Sequence, residues 1–88
     1  MYWSIAERYN STDIFVDELP DENTTEEMLN TFRKAKIGTI VIAEGIGDRI
    51  PQLENLGCKV IGECKVFRRE TDLYYGSLEV LRGYRLKV

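Results

Sequence analysis

Thr39-Ile40-Val41-Ile42-Ala43 runs directly into Glu44-Gly45-Ile46-Gly47-Asp48. The first five residues are almost wholly apolar and rich in β-branched side chains. A strand buried on both faces has this composition, because neither face meets water. The run predicts the central strand of a sheet with helices packed on either flank. The Gly-x-Gly segment after it predicts a loop leading into a short helix. Asp48 is the expected N-cap, and Pro51 fits the first turn. Ile50, Leu53 and Leu56 should face inward, and Gly57 should close the helix.

Upstream, Thr24-Thr25-Glu26-Glu27 matches a capping box, with the Thr24 hydroxyl accepting from an early N–H. Asp21, Glu22, Glu26 and Glu27 crowd the start of this second helix, and Arg33, Lys34 and Lys36 crowd its end. That order complements the helix dipole. Met28, Leu29, Phe32 and Ala35 recur at helical spacing, and Gly38 is the expected stop. Ile14-Phe15-Val16 predicts a strand over Asp13–Glu18, ended by Pro20. Asn10-Ser11-Thr12-Asp13 reads as a turn. Trp3, Ile5 and Tyr9 fit one face of a strand, but Tyr2–Tyr9 also fits a short helix.

Downstream, Cys58–Arg69 reads as one long strand. Strict alternation would put Cys58, Val60, Cys64 and Val66 on one face. Lys59, Ile61, Glu63, Lys65 and Phe67 would share the other. Glu70-Thr71-Asp72 is a turn signal, and Leu73–Arg82 is the expected antiparallel partner. Gly83 should break or bulge the chain before a last strand holding Tyr84, Leu86 and Val88. The whole order predicts one α/β domain over residues 1–88, with α+β as the alternative. It has a β-α-β-α-β core, two helices and a C-terminal antiparallel hairpin on a small mixed sheet of about four to six strands. Strand-helix-strand connections imply parallel neighbours joined by right-handed crossovers.

Composition narrows the function classes. Apolar residues at 43% and charged residues at 31% exclude a disordered chain. No apolar run reaches the roughly 18–20 residues that span a bilayer, so no membrane contact is expected. Residues 1–8 lack a secretory pattern, and the expected location is the cytoplasm. Cys58 and Cys64, six residues apart on one strand, would lie about 20 Å apart. A disulfide needs Cα atoms within about 7 Å, so free thiols are expected. Histidine is absent. That removes the commonest metal ligand and general base, and Ser4, Ser11 and Ser77 have no histidine to activate them. The reading is non-enzymatic, with no cofactor or metal.

Charge is polarised. Residues 1–57 carry eleven acids and five bases, whereas residues 58–88 carry four acids and seven bases. The leading function is therefore a binding or regulatory protein that docks on another protein. Its acidic docking surface would comprise Asp17, Glu18, Asp21, Glu22, Glu26 and Glu27. Acidic and basic ends on one molecule could also attract head to tail into a homo-oligomer. The alternative is a module holding a small anionic ligand at Glu44, Gly45, Ile46, Gly47 and Asp48, where loop N–H groups would face it. A second alternative is nucleic-acid binding through Lys65, Arg68, Arg69, Tyr74, Tyr75, Arg82, Tyr84, Arg85 and Lys87. The net charge of −3 disfavours it.

Overall fold

In the computed structural model the strands pair in the order β1-β2-β3-β5-β4. It describes residues 3–8, 11–69 and 78–88, with the backbone alone for Glu7, Arg8, Ser11, Arg68, Arg69 and Leu78. The strands are β1 (Trp3–Arg8), β2 (Ser11–Val16), β3 (Thr39–Ala43), β4 (Lys59–Arg69) and β5 (Leu78–Lys87). Helix α1 (Glu22–Lys34) joins β2 to β3. A 3₁₀ segment (Glu44–Arg49) and helix α2 (Ile50–Asn55) join β3 to β4. This is the expected small mixed α/β domain, with two helices and a C-terminal hairpin. Of residues 2–9, open between strand and helix in the sequence, Trp3–Arg8 form β1, and residues 2 and 9 lie outside the described residues.

Two expectations about the sheet need correction. First, β3 and β4 are not parallel neighbours. β5 lies between them and pairs antiparallel with both. Among the described pairings, β2–β3 is the parallel one. A hairpin that folds back can slot its second strand beside β3, and this satisfies the ladder of β3 without another crossover. Second, the helices do not flank the sheet on both sides. Ile40, Val41 and Ile42 are all fully buried. Ile40 and Ile42 pack with Met28, Leu29 and Phe32 of α1 and Leu53 of α2, so both helices lie on one face. Val41, on the other face, packs with Ala6, Phe15 and Val66, all from strands. The sheet closes on itself where Glu7 of β1 meets Phe67 of β4. That closure dries the inner face without a second helical layer.

The expected single face of β4 is also split. The β4–β5 register shifts between Val60 and Gly62. One extra residue reverses which side later side chains occupy. Cys58 and Val60 therefore belong to the helix-covered core, whereas Cys64 and Val66 belong to the inner one. The thiols are free, Cys58 buried and Cys64 half-buried. Gly83 does not break the chain, because β5 runs through it. It sits opposite Ala43, and a Cβ there would run into the Ile42 carbonyl oxygen. Glycine is what lets β3 and β5 pair at this point. The expected Leu73–Arg82 strand begins at Leu78 in the described residues; the Glu70–Asp72 turn and residues 73–77 lie outside them.

Helix ends differ from the sequence reading in detail. Asp21, not Thr24, is the N-cap of α1: its Oδ1 accepts from the Thr24 N–H at 2.8 Å. Thr25 is buried and donates its hydroxyl to the Pro20 carbonyl at 3.3 Å. An aspartate just after Pro20 reaches the free N–H groups first, and the helix starts earlier. At the other end Lys36, with φ 60°, takes the left-handed turn expected two residues later at Gly38. Ile37 N–H then bonds Phe32 C=O and Lys36 N–H bonds Arg33 C=O, the Schellman pattern. Gly57, with φ 98°, closes α2 in the same way, as expected. Asp48 does not cap α2. It lies inside the 3₁₀ segment, and Arg49 precedes the helix without a side-chain cap.

Candidate functional site

The acidic residues meet solvent. Asp17, Glu18, Asp21, Glu22, Glu26 and Glu27 are all exposed. They run from the end of β2 through the first two turns of α1. The Asp21 carboxyl is held below its ordinary range, mainly by the Thr24 backbone N–H and then by the Thr24 side chain. Its negative charge is thus committed to the helix start.

Next to these acids lies a groove absent from the sequence reading. Trp3 pairs with Val16 at the start of β1 and turns its indole toward α1. Its ring meets Phe32 edge to face, with centroids 5.6 Å apart and planes at 78°. Such aromatic pairs add about 0.5–1.5 kcal/mol beyond their buried area. Trp3, Thr24, Glu27, Met28, Thr31 and Phe32 line a cavity of about 260 Å³. Its floor is apolar, and Glu27 stands on its rim. A signal was present: the chain has a single tryptophan, and it alternates with Ile5.

A second cavity, of about 240 Å³, is lined by Glu44, Glu63, Cys64, Lys65, Arg82, Gly83 and Tyr84. Two acids and two bases share it, so it selects neither charge. Of the Gly-x-Gly segment, Glu44 reaches this cavity. Glu44, Gly45 and Asp48 are exposed, and Ile46 and Gly47 half-buried. Gly47 has a packing duty: a Cβ there would come within 2.7 Å of the Tyr84 ring. The segment is a 3₁₀ turn of six residues.

Below the second cavity, Arg85 Nη1 meets Asp13 Oδ1 at 2.7 Å, and Nη2 meets Oδ2 at 3.3 Å. The side chains are 12% and 3% exposed. Donating to the Asp13 carboxylate holds the Arg85 guanidinium above its ordinary range, against desolvation, and the Cys64 sulfur acts in the same direction. Burial raises the Cys58 thiol, and the charge of Arg33 partly offsets it.

For the basic and aromatic set, Lys65, Arg82 and Lys87 are exposed, and Tyr84 is half-buried against the helix-covered core. Arg85 turns inward to Asp13. Tyr74 and Tyr75 lie outside the described residues, as do the side chains of Arg68 and Arg69. Among the described residues no three His, Cys, Asp or Glu side chains converge on a metal-sized site. No described helix is long and apolar enough to cross a membrane.

Fold and site together define a small mixed α/β domain whose sheet closes on itself, with an aromatic groove beside an acidic helix start. No family model, curated protein or solved structure matches the chain.

Proposed function

We propose that this domain is a non-enzymatic protein-docking module that receives a basic segment of its partner along α1. One observation carries the reading: the Trp3–Met28–Phe32 groove has the exposed Glu27 carboxylate on its rim, at the acidic start of α1. Tryptophan is a frequent anchor in binding energetics, and a flanking charged rim steers the partner in. A lysine or arginine lying over the indole would gain from the ring as well as from Glu27. The absence of histidine supports a binding role over catalysis.

Trp3 is the only tryptophan, so its emission reports on this groove alone. A synthetic peptide of alternating lysine and leucine is the probe, and its glutamate-leucine twin is the control. Trp3 emission should shift with the basic peptide and stay constant with the acidic one. Glu26→Lys/Glu27→Lys should remove the response. Equal responses to both peptides, or none, would overturn the reading.

A further inference from the structure

The outer face of β1, β4 and β5 continues from the Trp3 groove. Ile5 points to the same side as Trp3, since strand residues two apart share a face. It is 54% exposed. Glu7 meets Phe67 across the β1–β4 junction, which places Ile5 diagonally beside Phe67. Phe67 in turn lies opposite Val80 of β5. Phe67 and Val80 are 36% and 52% exposed. Among the described residues neither helix covers these three side chains.

Charge is ordered along the same stripe. Glu27 of α1 stands beside it at Trp3. At its far end Lys65 and Arg82 stand directly opposite each other, both exposed. β1 and β4 are antiparallel, so Lys65 lies beyond Phe67 in the direction leading away from Trp3. About six strand residues, or about 20 Å, separate the two charged ends. Glu63 and Glu44 lie past the basic pair, at the second cavity. Two like charges directly opposite on paired strands oppose folding. Glu63 and Glu44 share the cavity with them on one side, and a carboxylate arriving from the Phe67 side would relieve them further.

We propose that this stripe binds a second copy of the same chain across a twofold axis. Rotation about an axis near Ile5 and Phe67 brings Glu27 of one copy toward Lys65 and Arg82 of the other, and the reverse at the opposite end. The uncovered apolar side chains meet in the middle. The surface is thus complementary to itself, which a closed twofold pair requires. This inference rests on the docking reading of the α1 face, and it names the basic partner as another copy.

Sedimentation equilibrium of the whole chain tests it. The wild type should show a reversible monomer–dimer equilibrium that weakens with salt. Glu26→Lys/Glu27→Lys makes both ends basic, and Lys65→Glu/Arg82→Glu makes both acidic. Each variant alone should associate at least about tenfold more weakly. An equimolar mixture should recover dimer, because every contact in the mixed pair is again opposite in sign. That recovery also shows that both variants are folded. A wild type that stays monomeric to about 1 mM, a Kd worth only about 4 kcal/mol, overturns the inference. So do variants that dimerise like wild type, a mixture that fails to recover, and growth beyond two copies. A monomeric wild type whose Trp3 still answers the basic peptide removes the dimer and leaves the docking reading standing. A dimer whose Trp3 ignores the peptide overturns the docking reading and, with it, the seat of this dimer on the α1 face.

Discussion

Arg85 and Asp13 form a bidentate ion pair that reaches across β3 inside the closed sheet, 72 residues apart in sequence. A buried pair adds little net stability over apolar substitutes, but breaking it strands a charge. Asp13→Ala should therefore lower the unfolding free energy by about 3 kcal/mol. Asp13→Val combined with Arg85→Met should recover most of that loss. Urea denaturation of the three proteins measures it; a single variant costing nothing would show that water already reaches the guanidinium.

Glycine positions separate by what a methyl group would meet. Gly83→Ala drives a Cβ into the β3 backbone at Ile42. It should cost about 3 kcal/mol or more, the upper range of overpacking. At Gly45, in the proposed anion loop, a Cβ meets nothing within 4 Å. Gly45→Ala should fall within about 0.5 kcal/mol of wild type. Thermal unfolding distinguishes the two, and equal effects would contradict the close β3–β5 approach.

The two cysteines should react unequally. Cys58 is buried and its thiol is raised, so little thiolate exists at neutral pH. Cys64 is half-buried and lines the second cavity beside Arg85. Iodoacetamide at neutral pH should label Cys64 at least about tenfold faster, as read by mass spectrometry of the native protein. Faster labelling at Cys58 would contradict the split of β4 between two cores.

These cores show which parts of the fold were legible in the residues. Ile40–Ile42 announced a fully buried strand by composition alone, and Met28, Leu29 and Phe32 announced the helix face that covers it. The hairpin and both cysteine states followed from local pattern too. Strand order did not, because nothing in β5 records that it lies beside β3. The shift at Val60/Gly62 was hidden as well: a strand with one extra residue still alternates in sequence. The helices share a side because Glu7 and Phe67 close the sheet, a contact between distant segments. At the candidate site the acids were visible and Trp3 was not. Its role depends on Phe32 packing beside it from 29 positions later.

Capping of α1 should depend on pH. The Asp21 carboxyl is lowered in the folded state, so it stabilises the helix above its unfolded value. That contribution should fade as pH falls through the lowered folded value. Asp21→Ala should speed hydrogen exchange at the Thr24 amide at neutral pH and leave it unchanged at strongly acidic pH. Equal rates in the two proteins at neutral pH would rule out Asp21 as the cap.

Docking through the α1 face is tested most directly by photo-crosslinking in the cells that make the protein. A benzophenone amino acid in place of Thr31, an exposed residue on the groove wall, places the reactive group where the partner should lie. The same amino acid in place of exposed Asn55 on α2 is the control. The expected result is a discrete crosslinked product from position 31, absent from position 55 and lost with Glu26→Lys/Glu27→Lys. No product from position 31, or the same product from both positions, would contradict a partner seated on Trp3.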